Sequence, residues 1–140
     1  MTEEQFLTQL NTLEDYCFKS TSTDQYCRWD AESDKYLAEL KCRRTHYDTQ
    51  LIERPKFDNV MKEAEGSGRE FLYCVNTPAG TYVFNVSQLV EEGYDFQWET
   101  RKMPNKTAFG QWEKIDKHVG YIDVSMAQLF EAFEPKAQPS

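Results

Sequence analysis

The sequence predicts a single α/β domain, a central mixed sheet of about four or five strands flanked by helices. Three observations predict it. Apolar residues recur at helical spacing near the N-terminus and again after Pro55. Runs rich in aromatic and β-branched residues come in pairs around short turn sequences. A chain of 140 residues is long enough to bury one core without staples.

The first element is an amphipathic helix from Glu3 to about Phe18, with Phe6, Leu7, Leu10, Leu13 and Phe18 on its apolar side and Thr2 as N-cap. A polar loop, Lys19 to Asp24, leads to paired strands over Tyr26 to Ala31 and Tyr36 to Arg43, joined by a turn at Glu32-Ser33-Asp34-Lys35. Thr45 to Ile52 reads equally as a short strand or a loop. Arg54-Pro55 then opens a helix, because proline is tolerated in a first turn, and Gly66-Ser67-Gly68 closes it after Glu65. Phe71 to Asn76 and Thr81 to Val86 form a hairpin around Thr77-Pro78-Ala79-Gly80. Ser87 caps a short helix to Glu92, and Tyr94 to Thr100 alternates aromatic with polar residues as a half-buried strand does. Met103 to His118 is irregular and basic. Tyr121 to Val124 reads as a last strand, Ser125 to Gln128 as a capping box opening a helix to about Phe133, and 135–140 as a disordered tail after one domain of residues 1–134.

Composition narrows the function classes. Hydrophobic residues make up 39% and aromatics 14%, too much for a disordered chain. No apolar run approaches a membrane span and the N-terminus has no secretory pattern, so a cytoplasmic protein is expected. Cys17, Cys27, Cys42 and Cys74 form no close pair, and His46 and His118 are far apart, so no zinc signature exists and buried free thiols are expected. The net charge of -8 argues against a generic nucleic-acid coat. Positive charge is nevertheless concentrated in one stretch, at Lys41, Arg43, Arg44, Arg54 and Lys56.

The chemistry-bearing segment is the Asp30 to Lys41 hairpin. Strand side chains alternate faces, so Glu39 and Lys41 point one way and Leu40 the other. Folding the Asp30 strand back brings a second carboxylate close enough to share a divalent cation with Glu39. Asp30, Glu39 and the Leu40 carbonyl are a typical protein share for Mg²⁺, which keeps several waters. Such an ion supplies an activated water and neutralises a scissile phosphate, with Lys41 placed to orient the attacking water. The residues alone equally allow a turn role for Asp30 and a solvated cross-strand ion pair between Glu39 and Lys41.

Trp29-Asp30 followed by Tyr36-Leu-Ala-Glu39-Leu-Lys41-Cys-Arg43 resembles the core of the PD-(D/E)xK nuclease superfamily. The continuation through Tyr47, Leu51 to Asp58 and the Phe71 to Val86 hairpin is similar to its small phage-encoded members. The resemblance covers roughly residues 1 to 90 and implies a restriction-endonuclease-like fold. It also implies Asp30 and Glu39 as ligands of Mg²⁺ or Mn²⁺, Lys41 as the catalytic lysine, and DNA as partner. Trp29 stands where many members have proline. Members often place a glutamate of the first helix near the metal: Glu14 is the first candidate, with Glu3, Glu4 and Asp15 as alternatives. Arg43, Arg44 and Lys56 are candidate phosphate contacts, with Tyr47 or Gln50 near the cleft, and Lys102, Lys106, Lys114 and Lys117 form a second basic cluster. A twofold dimer is compatible with this class, though no residue marks its surface. The rival readings are a nuclease fold kept as a silent binding or assembly module, and an acidic decoy for a protein partner.

Overall fold

A computed structural model describes residues 1–21, 27–104 and 114–132. Helix α1 (Glu3–Leu13) starts at a capping box in which Thr2 accepts from the Gln5 N–H and Gln5 returns a bond to Thr2. It ends five residues before the predicted Phe18. Asn11 bonds both backbone groups of Phe18, at 2.8 and 3.0 Å, and Cys17 takes a left-handed conformation (φ 57°), so the chain turns back beside the helix.

Strands β1 (Lys19–Ser20), β2 (Ala31–Glu32) and β3 (Tyr36–Cys42) follow. The predicted strand ending at Ala31 shrinks to two residues: Cys27 to Asp30 are outside any strand, and residues 22–26 lie outside the described residues. Next come β4 (Thr49–Glu53), α2 (Arg54–Ser67), β5 (Glu70–Thr77), β6 (Gly80–Asn85) and α3 (Val86–Glu91). Pro55 sits in the first turn of α2, and Gly68 ends it with φ 68°. The cap of α3 is Asn85 rather than Ser87, whose hydroxyl instead accepts the Phe71 N–H.

The C-terminal third departs further from expectation. Tyr94 to Trp98 is not a strand, because Gln97 is left-handed (φ 54°) and breaks the alternation. Strands β7 (Glu99–Pro104) and β8 (Lys114–Asp123) replace much of the predicted irregular stretch; 105–113, with Lys106, lie outside the described residues. The predicted helix from Ser125 is one 3₁₀ turn, Val124–Met126, followed by β9 (Leu129–Ala132). The open edge of β6 takes that strand, Tyr82 opposite Phe130, and its backbone pairing outweighs the local helix signal. The predicted tail 135–140 lies outside the described residues.

The fold is a mixed α/β arrangement with two sheets. The central sheet has six strands rather than four or five, ordered β1-β2-β3-β5-β6-β9, the additions being short edges. Among the described strands, only β3 and β5 pair in parallel, through the crossover containing α2. A three-stranded sheet, β4-β8-β7, flanks it. One face of the central sheet packs Ala38, Leu40, Leu72 and Val83 against Phe6 and Leu10 of α1. The other packs Leu37, Phe71, Tyr73 and Phe84 against α2, α3 and residues of the second sheet, including Ile52 and Ile122. Covered on both sides, β5 and β6 are buried almost throughout. Only Cys74 of the four free cysteines is buried; Cys17 and Cys42 are exposed. No described helix is long and apolar enough to cross a membrane.

Candidate active site

The β2–β3 hairpin opens at Asp30. Backbone pairing runs from Glu32 opposite Leu37 to Ala31 opposite Ala38, and the Asp30 N–H still donates to the Ala38 carbonyl at 2.9 Å. Beyond that the strands part, and the Asp30 carboxylate accepts the Leu40 N–H at 2.9 Å, replacing the missing ladder partner. A strand residue presents its N–H and C=O to the same side, so the Leu40 carbonyl lies on this edge too.

Alternation along β3 sends Leu40 to the α1 layer and Glu39 and Lys41 to the α2 side. Glu39 is only 3% exposed, yet charged groups surround it: Lys41 Nζ is 3.6 Å from Oε1 and Lys56 Nζ 3.3 Å from Oε2. The Lys56 contact lacks hydrogen-bond geometry, and Oε2 is a buried oxygen with no hydrogen-bond partner. The other such buried side-chain atom among the described residues is Trp29 Nε1, next to Asp30. Burial first, and then the facing Asp30 charge, raise the Glu39 carboxyl from 4.5 to about 7, although both lysines pull it down.

Two elements complete the surroundings. Glu3, in the first turn of α1, lies close to the Asp30 carboxylate, and its carboxyl is raised first by burial and then by that neighbour. Glu14 is the exposed C-cap at the far end of α1, roughly 16 Å along the axis at 1.5 Å per residue, so the helix carries it away from the cluster. The helix acid beside Asp30 is thus Glu3. From α2, Lys56 donates to the Arg28 carbonyl at 2.7 Å, which ties the helix start to the segment entering Asp30.

A cleft of about 160 Å³ opens beside Lys41 and Lys56, lined also by Arg43, Glu53, Tyr73 and Lys117. Arg43 donates to Tyr73 Oη at 3.1 Å and to the Leu51 carbonyl at 3.3 Å, and Tyr73 itself donates to Leu51 at 2.8 Å. Burial pushes the Tyr73 phenol up to about 12. Glu53 pairs with Lys117 at 2.9 Å. That hydrogen bond holds its carboxyl below the usual range against burial, helped by Lys117, Lys41 and Arg43. Arg44 is exposed past the end of β3 and does not line the cleft. Lys102 pairs with Asp116 at 3.8 Å.

Sequence reasoning passed over Glu53 and Tyr73, and placed Lys117 in a separate cluster. Lys117 reaches the cleft because β8 pairs with β4, a match between segments about seventy residues apart that no local pattern announces.

The donor set fits a hard divalent cation: two opposed carboxylates, one with a buried oxygen accepting no hydrogen bond, beside a strand carbonyl. No three His, Cys, Asp or Glu side chains among the described residues are grouped to hold an ion. The protein's share would therefore be two carboxylates and the Leu40 carbonyl, with water completing the shell.

No protein-family model matches this sequence. No curated protein matches it either. Among solved structures, the fold is similar to that of Hjc, a Holliday junction resolvase from the archaeal hyperthermophile Archaeoglobus fulgidus. The TM-score is 0.53 at 17% identity, covering 93% of this chain and 95% of that one. The fold class is restriction-endonuclease-like: a mixed α/β domain with a central mixed sheet and, among the described residues, three α-helices.

Proposed function

We propose that this chain is a metal-dependent nuclease that hydrolyses DNA phosphodiester bonds, with Asp30, Glu39 and the Leu40 carbonyl holding Mg²⁺ or Mn²⁺. The observation that carries the reading is the buried Glu39 oxygen without a hydrogen bond, facing Asp30 and flanked by two ammonium groups. A bound divalent ion would supply an acidified water and charge neutralisation at phosphate.

The chain's own groups have distinct parts. Asp30 is fixed by the Leu40 N–H, which holds one of its oxygens and orients the carboxylate that faces Glu39 and Glu3. Lys41, 3.6 Å from Glu39 and 38% exposed, reaches from the metal-side carboxylate into the cleft, where it orients the attacking water. Arg43, braced by Tyr73 and Leu51, retains donors for a phosphate, since a guanidinium carries five. Lys56 lies within reach of the same phosphate, and Glu3 is the acid of the first helix placed to act through Asp30.

The test is cleavage of branched, single-stranded and duplex DNA with Mg²⁺ or Mn²⁺. Asp30→Asn and Lys41→Ala are expected to lower the rate by at least about a hundredfold while circular dichroism stays unchanged. A wild type that cuts none of these substrates with either metal would remove the enzyme reading. One observation favours a second reading, a silent binding or assembly module. Lys41 and Lys56 already give Glu39 resident counter-charges, so the carboxylate can persist without an ion.

A further inference from the structure

The cleft beside Lys41 does not end at Arg43. A second cavity of about 330 Å³ shares Arg43, Leu51 and Met103 with it and continues past Tyr47, Arg101 and Tyr121. The two adjoin as one groove along the β4-β8-β7 sheet, which begins at Lys41 and Lys56, the two lysines that contact Glu39. Its lining inverts the charge of the molecule. In a chain of net charge -8, the groove presents Lys41, Arg43, Lys56, Lys117 and Arg101 against one lining acid, Glu53, which Lys117 already engages. Glu99 lies close by but outside the lining, where it accepts the Tyr121 hydroxyl at 2.8 Å.

The far end carries an exposed aromatic ring. Tyr47 is 66% exposed, the most exposed large hydrophobic side chain among the described residues, and its ring stacks on no described neighbour. Its carbonyl is held by the Gln50 side chain at 2.8 Å, which fixes the backbone beneath the ring. Arg101, also exposed, reaches into the same cavity and donates to Tyr121 Oη at 3.3 Å.

We infer that this groove binds a single-stranded polynucleotide leading away from the metal site, with Arg101 on a phosphate and Tyr47 stacked on a base. The 330 Å³ cavity is at the lower end of the scale of sites that enclose small ligands and the 160 Å³ cleft is smaller still, room for a single base or phosphate rather than for the flank of a duplex. A cationic track ending in an exposed aromatic ring is also how single strands are held without sequence readout. The inference rests on the nuclease reading only for the direction in which the strand runs.

The experiment is fluorescence anisotropy of the full chain with a labelled oligothymidylate and with a duplex of matched length, in EDTA so that nothing is cut. The single strand is expected to bind at least about tenfold tighter than the duplex. Tyr47→Ala should weaken single-strand binding about tenfold and Tyr47→Phe should preserve it, since stacking needs the ring and not the hydroxyl. Arg101→Ala should lower the slope of log K against log salt by about 0.7, the value of one phosphate contact on a single strand. Lys35→Ala, exposed in the β2–β3 turn outside the groove, should change nothing. Duplex bound as tightly as single strand, or single-strand binding indifferent to both Tyr47→Ala and Arg101→Ala, overturns the inference. DNA cleavage by the wild type with that indifference would leave the nuclease reading standing and this one fallen. The predicted binding pattern without cleavage in Mg²⁺ or Mn²⁺ would do the reverse.

Discussion

Glu39 concentrates the tension of the site. A carboxylate 3% exposed and facing a second carboxylate is costly to ionise, which is why its carboxyl rises from 4.5 to about 7. Because the folded value lies above the unfolded one, the folded state binds the extra proton between those limits. Stability is therefore highest below about pH 4.5 as far as this group is concerned, and falls as pH rises to about 7, after which the contribution is flat. The drop is about 3 kcal/mol at 1.36 kcal/mol per pH unit. Urea unfolding of the wild type and of Glu39→Gln at pH 5 and pH 8 checks it: the variant should lose the pH-dependent fall and exceed the wild type at pH 8. Saturating Mn²⁺ at pH 8 should restore the wild type, since only an ionised Glu39 can take the ion. Equal pH profiles for the two proteins would refute this account of the residue.

At the scale of elements, the placement of the site depends on how strands find their partners. Gly80, at the start of β6, has φ 151°, and a side chain there would press into the Glu131 and Ala132 backbone of β9. Gly80→Ala is expected to destabilise the protein by about 2 kcal/mol or more, with faster amide exchange in β9 and none in β3. Measuring exchange strand by strand distinguishes that local loss from global unfolding. The same elements show what a sequence discloses. Strand β3 was legible because Leu37, Glu39 and Lys41 alternate with Ala38 and Leu40, and two-residue periodicity is a local property. Helix α2 was legible from Pro55 and Gly68, both local signals. The second sheet was not, because β4 and β7 make sense only beside β8, whose pairing is set by tertiary contact. Glu14 stands at the other end of α1 from Asp30 for a related reason. Helical periodicity assigns a face, but which end of α1 meets Asp30 is decided by the packing of Phe6 and Leu10 on the sheet.

On the scale of the whole molecule, an acidic chain places a basic groove between two sheets, and the two lysines at one end of it contact the buried Glu39. The hairpin residues that carry the proposed chemistry were visible in the sequence as Asp30, Glu39 and Lys41, whereas the groove required β8 to deliver Lys117 and β7 to deliver Arg101. What decides the account is whether the two carboxylates act together on one ion. Calorimetric titration of Mn²⁺ into the full chain at pH 8 measures this directly. The account predicts one ion per chain, with binding weakened at least about tenfold in both Asp30→Asn and Glu39→Gln. Absence of binding in the wild type, or binding that survives both substitutions, would contradict it.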